Sequence, residues 1–208
     1  MKHFKCSLHM CFPHKMWIKE WQRHINKFHD GVVCKEKYII ERIDAPIGYV
    51  YDDVALHRSF VSKVARADSL EVRGWQCYHI CVDGGLIRYA ARNYMGDYNY
   101  PTGRCDSIIF DRKELWFVEF KMNTTSLLDG QLWSDMSGGM QQLADFIFNL
   151  RVKMGEKQTP LHRYYSAFHQ HCTLCMNKYP KMNASRNTRL EKFRKETGIK
   201  LQQMLVIP

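Results

Sequence analysis

The stretch RCDSIIFDRKELWFVEFK, residues 104–121, constrains the fold more than any other part of the chain. It predicts two strands, about 105–111 and 115–121, around a charged turn. With the turn centred on Arg112-Lys113, Phe110 faces Leu115, Ile108 faces Phe117 and Asp106 faces Glu119. Side chains alternate along a strand, so one face carries Ile108, Phe110, Leu115 and Phe117, and the other Ile109, Trp116, Val118 and Phe120. A hairpin that is apolar on both faces belongs in the middle of a sheet covered on both sides.

Three charges interrupt this pattern near one end. In the expected register the Cβ atoms of Asp106 and Glu119 lie about 4.5–5.5 Å apart, where like charges repel and burial raises the cost. A cation between them resolves the conflict. Two carboxylates with a backbone carbonyl such as that of Phe120 form an oxygen-rich site suited to Mg²⁺ or Mn²⁺. Lys121 shares a face with Glu119 and is placed to orient a water or to stabilise charge on a phosphate. The structural alternative is an ion pair of Glu119 with Lys121 or Arg104, with Asp106 capping a turn.

The remaining elements follow from periodicity. Residues 14–29 predict an amphipathic helix from Trp17, Ile18, Trp21, Ile25 and Phe28, and residues 34–43 a strand. A helix is expected from Asp52 or Asp53 to about Ala67, and a strand over 75–82 that ends at Asp83-Gly84-Gly85. Met140, Leu143, Ala144, Ile147 and Leu150 mark a helix over about 137–153. A strand over 163–170, a basic helix over 184–196 and a terminal strand in KLQQMLVIP complete the order.

Asp106, Glu119 and Lys121 on a strand pair, in the order helix, three strands, helix, strand, resemble the PD-(D/E)XK nuclease superfamily over roughly residues 50–170, with Cys105 in place of the motif's proline. The resemblance implies an α/β fold: a central mixed sheet flanked by helices, with a restriction-endonuclease-like core and additions at 1–49 and 171–208. It also implies that Asp106 and Glu119 are metal ligands and Lys121 the catalytic lysine. Asp53 and Glu71 are the candidates for a further upstream acid. Gln141 and Gln142 are similar to the glutamine that RecB-like branches carry on the helix after the third strand.

The formal net charge of +10 lies at the chain ends: residues 1–30 carry six Lys/Arg against two acids, and residues 178–200 carry eight against two. Basic flanks around a neutral centre suit a polyanion, DNA before RNA. Arg186, Arg189 and Lys192 belong to the second flank. Arg88, Arg92 and Arg104 interleave with tyrosines ahead of Asp106, a pattern suited to gripping phosphates and stacking on bases. A homodimer or a larger nucleoprotein complex is compatible with such a surface.

His169, His171, Cys172 and Cys175 have ligand types and spacing that suit zinc, and equally those of a polar turn with reduced thiols. No stretch approaches the roughly 18 apolar residues of a membrane span, and no signal peptide is evident, so an intracellular, cytoplasmic setting is expected. With 45% hydrophobic and 13% aromatic residues, the 208-residue chain has enough apolar surface for a sizeable core. The expectation is a Mg²⁺- or Mn²⁺-dependent nuclease. The alternatives are a non-catalytic nucleic-acid-binding protein of the same fold and a zinc-stabilised adaptor.

Overall fold

The computed structural model describes residues 40–56, 58–74, 77–82, 105–111, 113–155 and 168–208. The expected helix at 14–29 and the arginines at 88, 92 and 104 lie outside them.

Strand β7 (Glu114–Phe120) is the spine of the molecule: six of its seven residues are buried, as apolar side chains on both faces demand. It pairs antiparallel with β6 (Ser107–Phe110) in the expected register, Phe110 opposite Leu115 and Ile108 opposite Phe117. Asp111 tightens the turn, its Oδ1 accepting the N–H groups of Lys113 and Glu114 at 2.7 Å each. Strand β5 (Cys77–Cys81) continues the meander on the far side of β6, and β1 (Ile40–Ile43) closes that edge.

After β7 the chain crosses through α1 (Asp129–Gly155) and returns in β8 (His169–Cys175), parallel to β7. Helix α2 (Ala184–Thr197) then leads to the short β9 (Leu201–Gln202), parallel to β8. The order of this six-stranded sheet is β1-β5-β6-β7-β8-β9. Leu132, Met136, Met140, Leu143 and Ile147 lie one turn apart along α1 and bury one stripe against Ile108, Leu115 and Phe117.

The opposite face is covered by a second sheet of β2 (Ile47–Asp53), β3 (Arg58–Ser62), β4 (Ser69–Arg73) and β10 (Val206–Ile207), in the order β10-β4-β2-β3. Val50, Leu70 and Val72 from this sheet pack on Ile109, Trp116, Val118 and Phe120. The protein is therefore mixed α/β, with two sheets and two helices among the described residues. The two faces of the central hairpin divide between its two cores along the line the sequence predicts.

Three expectations are corrected. The helix expected over 52–67 is instead the β2–β3 hairpin, in which Tyr51 and Phe60 are cross-strand partners with ring centroids 5.6 Å apart. Asp53 caps a turn there, taking the Leu56 N–H at 3.1 Å, because aromatic cross-strand packing outweighs a helical spacing of apolar residues. Helix α1 begins eight residues before its expected start, so Gly138-Gly139 lies inside it. Of the strand expected over 163–170, residues 163–167 lie outside the described residues, and the described strand is His169–Cys175. KLQQMLVIP divides into β9 and β10, which join different sheets.

Candidate active site

The carboxyl end of β7 presents Glu119 and Lys121 on the face covered by α1, and Asp106 enters from the residue before β6. Glu119 is fully buried, and its Oε1 lies 2.7 Å from Lys121 Nζ. The ammonium also donates to Gln142 Oε1 on α1 at 2.6 Å. Burial acts to lower the Lys121 pKa, but the Glu119 carboxylate, aided by Asp106 and Asp135, more than offsets it and holds the ammonium above its ordinary value. All three predicted catalytic side chains thus share one electrostatic neighbourhood.

Asp106 is 9% exposed, and its Oδ2 accepts the Phe120 N–H at 2.6 Å. A strand residue directs its N–H and C=O to the same edge, so the Phe120 carbonyl also faces the Asp106 side. The regular ladder ends at Ser107 opposite Val118. Asp106 has stepped out of it, freeing its carboxylate to reach across the end of β7.

Gly139 explains how a helix can lie so close to these charges. A Cβ there would stand 2.6 Å from Leu174 Cδ1, 3.2 Å from Glu119 Cγ and 3.5 Å from Lys121 Cε. Only hydrogen at that position lets the α1 backbone settle over the pair. With 3.6 residues per turn, Asp135 and Gln142 leave one flank of α1, toward Lys121. Ser137, Gln141 and Ala144 leave the other, toward α2. Asp135 takes the Thr124 hydroxyl at 2.9 Å and the Gln131 amide at 2.9 Å.

The upstream acids proposed from sequence are not brought to this place. Asp53 and Glu71 both belong to the second sheet, Asp53 capping its turn and Glu71 bound to Arg73 at 2.6 Å. Among the described residues, no group of three or more His, Cys, Asp or Glu side chains is arranged to hold a metal ion. Two carboxylates and a carbonyl nevertheless provide the hard oxygen donors that Mg²⁺ or Mn²⁺ prefers.

The zinc set is divided by strand alternation. His169, His171 and Cys175 point to one face of β8 and Cys172 to the other, where it joins the core beneath α1. Burial pushes the Cys175 thiol well above its usual range, which disfavours the thiolate a metal needs. His171 instead bonds to Glu114 at 2.5 Å and stacks on Trp116 at 4.1 Å between ring centroids.

The basic flank also divides. Arg186 is clamped, 12% exposed, on Asp129 at 2.6 Å and over the Trp133 ring, and so is committed to holding the start of α1. Gln141 is bonded to Asp145 at 2.7 Å. Gln141, Arg189 and Lys192 nevertheless line one groove of about 320 Å³ between α1 and α2, with Ser137 on its wall and Met140 and Phe193 among its lining.

Sequence reasoning missed one cluster beside the site. His79, Ser59 and Ser107 are all essentially unexposed and lie within hydrogen-bonding distance of one another. They come from three strands of two sheets, and no local spacing betrays them.

No protein-family model, curated protein or solved structure matches the chain. The fold and the site define it only as a mixed α/β protein with a carboxylate–lysine cluster at a sheet end.

Proposed function

We propose that the chain is a metal-dependent nuclease with a restriction-endonuclease-like core, hydrolysing phosphodiester bonds in nucleic acid, DNA in the first place. The observation that carries this reading is the convergence of Asp106, Glu119 and Lys121 at one end of a buried hairpin, with Gln142 seated on the lysine. The antiparallel meander β5-β6-β7, the crossover helix α1 and the parallel β8 support the three strands, helix and strand of the core order that the nuclease resemblance implies, while the β2–β3 hairpin stands where that order has its leading helix.

Asp106, Glu119 and the Phe120 carbonyl would hold Mg²⁺ or Mn²⁺, which supplies polarisation of the phosphoryl oxygen and a more acidic bound water. The chain's own contributions are positional and electrostatic. Gln142 and Glu119 hold the Lys121 ammonium in place, and it is directed to charge that develops on phosphate oxygens. Its raised pKa keeps it protonated at neutral pH, so it acts as a charge and hydrogen-bond donor rather than as a base. The α1–α2 groove, with Arg189 and Lys192, takes the phosphodiester backbone on the other flank of the helix.

One observation favours a second reading, a non-catalytic nucleic-acid-binding protein. Lys121 already neutralises Glu119, and the described residues contain no third acid grouped with the pair in a metal-holding cluster.

Cleavage of plasmid and single-stranded DNA by wild type, Glu119→Ala and Lys121→Ala, with Mg²⁺, Mn²⁺ or EDTA, separates the readings. The nuclease reading expects metal-dependent cutting by wild type alone. Binding without cutting by all three proteins establishes the second reading. In either case affinity falls steeply with salt as counterions are released, and an Arg189→Ala, Lys192→Ala double variant flattens that slope by about two.

A further inference from the structure

Asp106 is held from behind as well as in front. Its carboxylate takes the Phe120 N–H, while its carbonyl oxygen takes the Val82 N–H at 3.0 Å and lies 3.3 Å from the Ser59 hydroxyl. Ser59 Oγ is 2.7 Å from Ser107 Oγ, and His79 Nε2 is 3.1 Å from both. On its other side, His79 Nδ1 lies 3.2 Å from Glu41 Oε2, which also accepts the Val61 N–H at 3.1 Å. A carboxylate only accepts, so the imidazole proton resides on Nδ1 and leaves Nε2 to accept a serine hydroxyl. Burial pulls the His79 pKa down, against the pull of Glu41, and favours this neutral form.

The order Glu, His, Ser is that of a hydrolytic triad, but Ser59, Ser107 and His79 are 1%, 0% and 0% exposed and no substrate reaches them. Ser59, held by His79 and Ser107, meets the Asp106 carbonyl where β6 leaves its ladder with β7. Glu41, His79 and Ser107 lie on the six-stranded sheet and Ser59 on the other, so the cluster pins both sheets to this point.

We propose that Ser59, His79 and Ser107, anchored by Glu41, are positioning residues that fix the Asp106 main chain and thereby aim its carboxylate at the Phe120 edge of the site. This role rests on Asp106 being a metal-holding carboxylate, as proposed above. A buried polar network satisfied at each member is stiff, and a donor carboxylate must be held within a fraction of an ångström to bind a small divalent ion well. A carboxylate on the last residue before a strand otherwise has a free backbone and several rotamers.

Two measurements on the full chain test this, using Ser59→Ala, the conservative His79→Gln, and Ile199→Val as a buried control beside β9. Amide hydrogen exchange at Phe120 reports the aim of Asp106 without reference to metal. Ser59→Ala is expected to speed it at least tenfold, His79→Gln to change it less, and Ile199→Val to leave it within twofold. Mn²⁺ titration reports the consequence: about a tenfold rise in Kd for Ser59→Ala, with the control unchanged. Phe120 exchange unaltered in both cluster variants overturns the proposal, as does an equal effect from Ile199→Val. Absence of Mn²⁺ binding by wild type sinks the metal reading, while the exchange data still decide whether the cluster positions Asp106.

Discussion

At the scale of single residues, the Glu119–Lys121 pair is the most consequential contact in the molecule, because one partner is wholly buried and the other only partly so. Removing the buried charge and removing the exposed one therefore have different costs. Glu119→Gln leaves Lys121 bonded to Gln142 and keeps the side-chain volume, so the expected loss is about 1–2 kcal/mol. Lys121→Met strands a buried carboxylate and is expected to cost about 3 kcal/mol, the low end for buried pairs because 27% of the lysine side chain remains in solvent. Urea unfolding of both variants checks the order. If the protein is a nuclease, each also loses about 100-fold or more in kcat.

The placing of Glu119 and Lys121 on one face was legible from the strand period of two, but Asp106 reaches them by leaving the ladder rather than by facing Glu119 within it, as the expected register had it. Gln142 was legible only as a nominee. Its neighbour Gln141 had equal standing from composition, and the rotation of α1 alone sends one to the lysine and the other to the groove.

At the scale of elements, the close approach of α1 to the sheet depends on one of two adjacent glycines. Gly138 has open space around its missing Cβ, whereas Gly139 lies against Leu174, Glu119 and Lys121. Replacement of Gly138 by alanine is expected to stabilise the protein by up to about 1 kcal/mol through helix propensity. The same change at Gly139 is expected to destabilise by about 1–3 kcal/mol, because the gain in propensity is exceeded by overpacking against a buried leucine and the Glu119 stem. Thermal unfolding of the two single variants, with opposite signs of the Tm shift, checks this. The helix expected over about 137–153 puts Gly138-Gly139 in its first turn, whereas α1 holds them in its interior, where glycine is unfavourable. Only the sheet beneath it reveals why one of the two is required. The β2–β3 hairpin gives the converse lesson: Phe60, Val61 and Val64 satisfy a helical spacing in isolation, yet Tyr51 opposite Phe60 supplies the cross-strand packing that decides for strand.

At the scale of the whole molecule, the two sheets are joined by an apolar core and, at the Asp106 end, by the His79 cluster. Burial holds the folded pKa of His79 below the ordinary 6.5, aided by Arg58 on β3 and opposed by Glu41 on β1. A histidine held neutral in the fold contributes stability that is fully present above its unfolded pKa and is lost as pH falls from about 6.5 toward the folded value. Glu41, whose pKa is lowered despite partial burial, adds a loss in the same direction at lower pH, below its ordinary 4.5. Unfolding free energy is therefore expected to decline below about pH 6.5 with a slope of at most about 1.4 kcal/mol per pH unit for the single imidazole proton. Denaturant melts at pH 7.5, 6.5 and 5.5 check this, and His79→Gln should flatten the profile.

What the sequence by itself determined is the central hairpin: its register, the division of its faces between two cores, and the gathering of Asp106, Glu119 and Lys121 at one end. Each follows from local alternation and from the short reach of a turn. What only the tertiary structure decided is the rest of the site: Gly139 and Gln142 over the lysine, the second sheet where a helix was expected, and the Ser59–His79–Ser107 cluster behind Asp106. These depend on contacts between segments distant along the chain. Such contacts are settled when sheets pack face to face and buried polar groups must find partners, a condition that no window of neighbouring residues expresses.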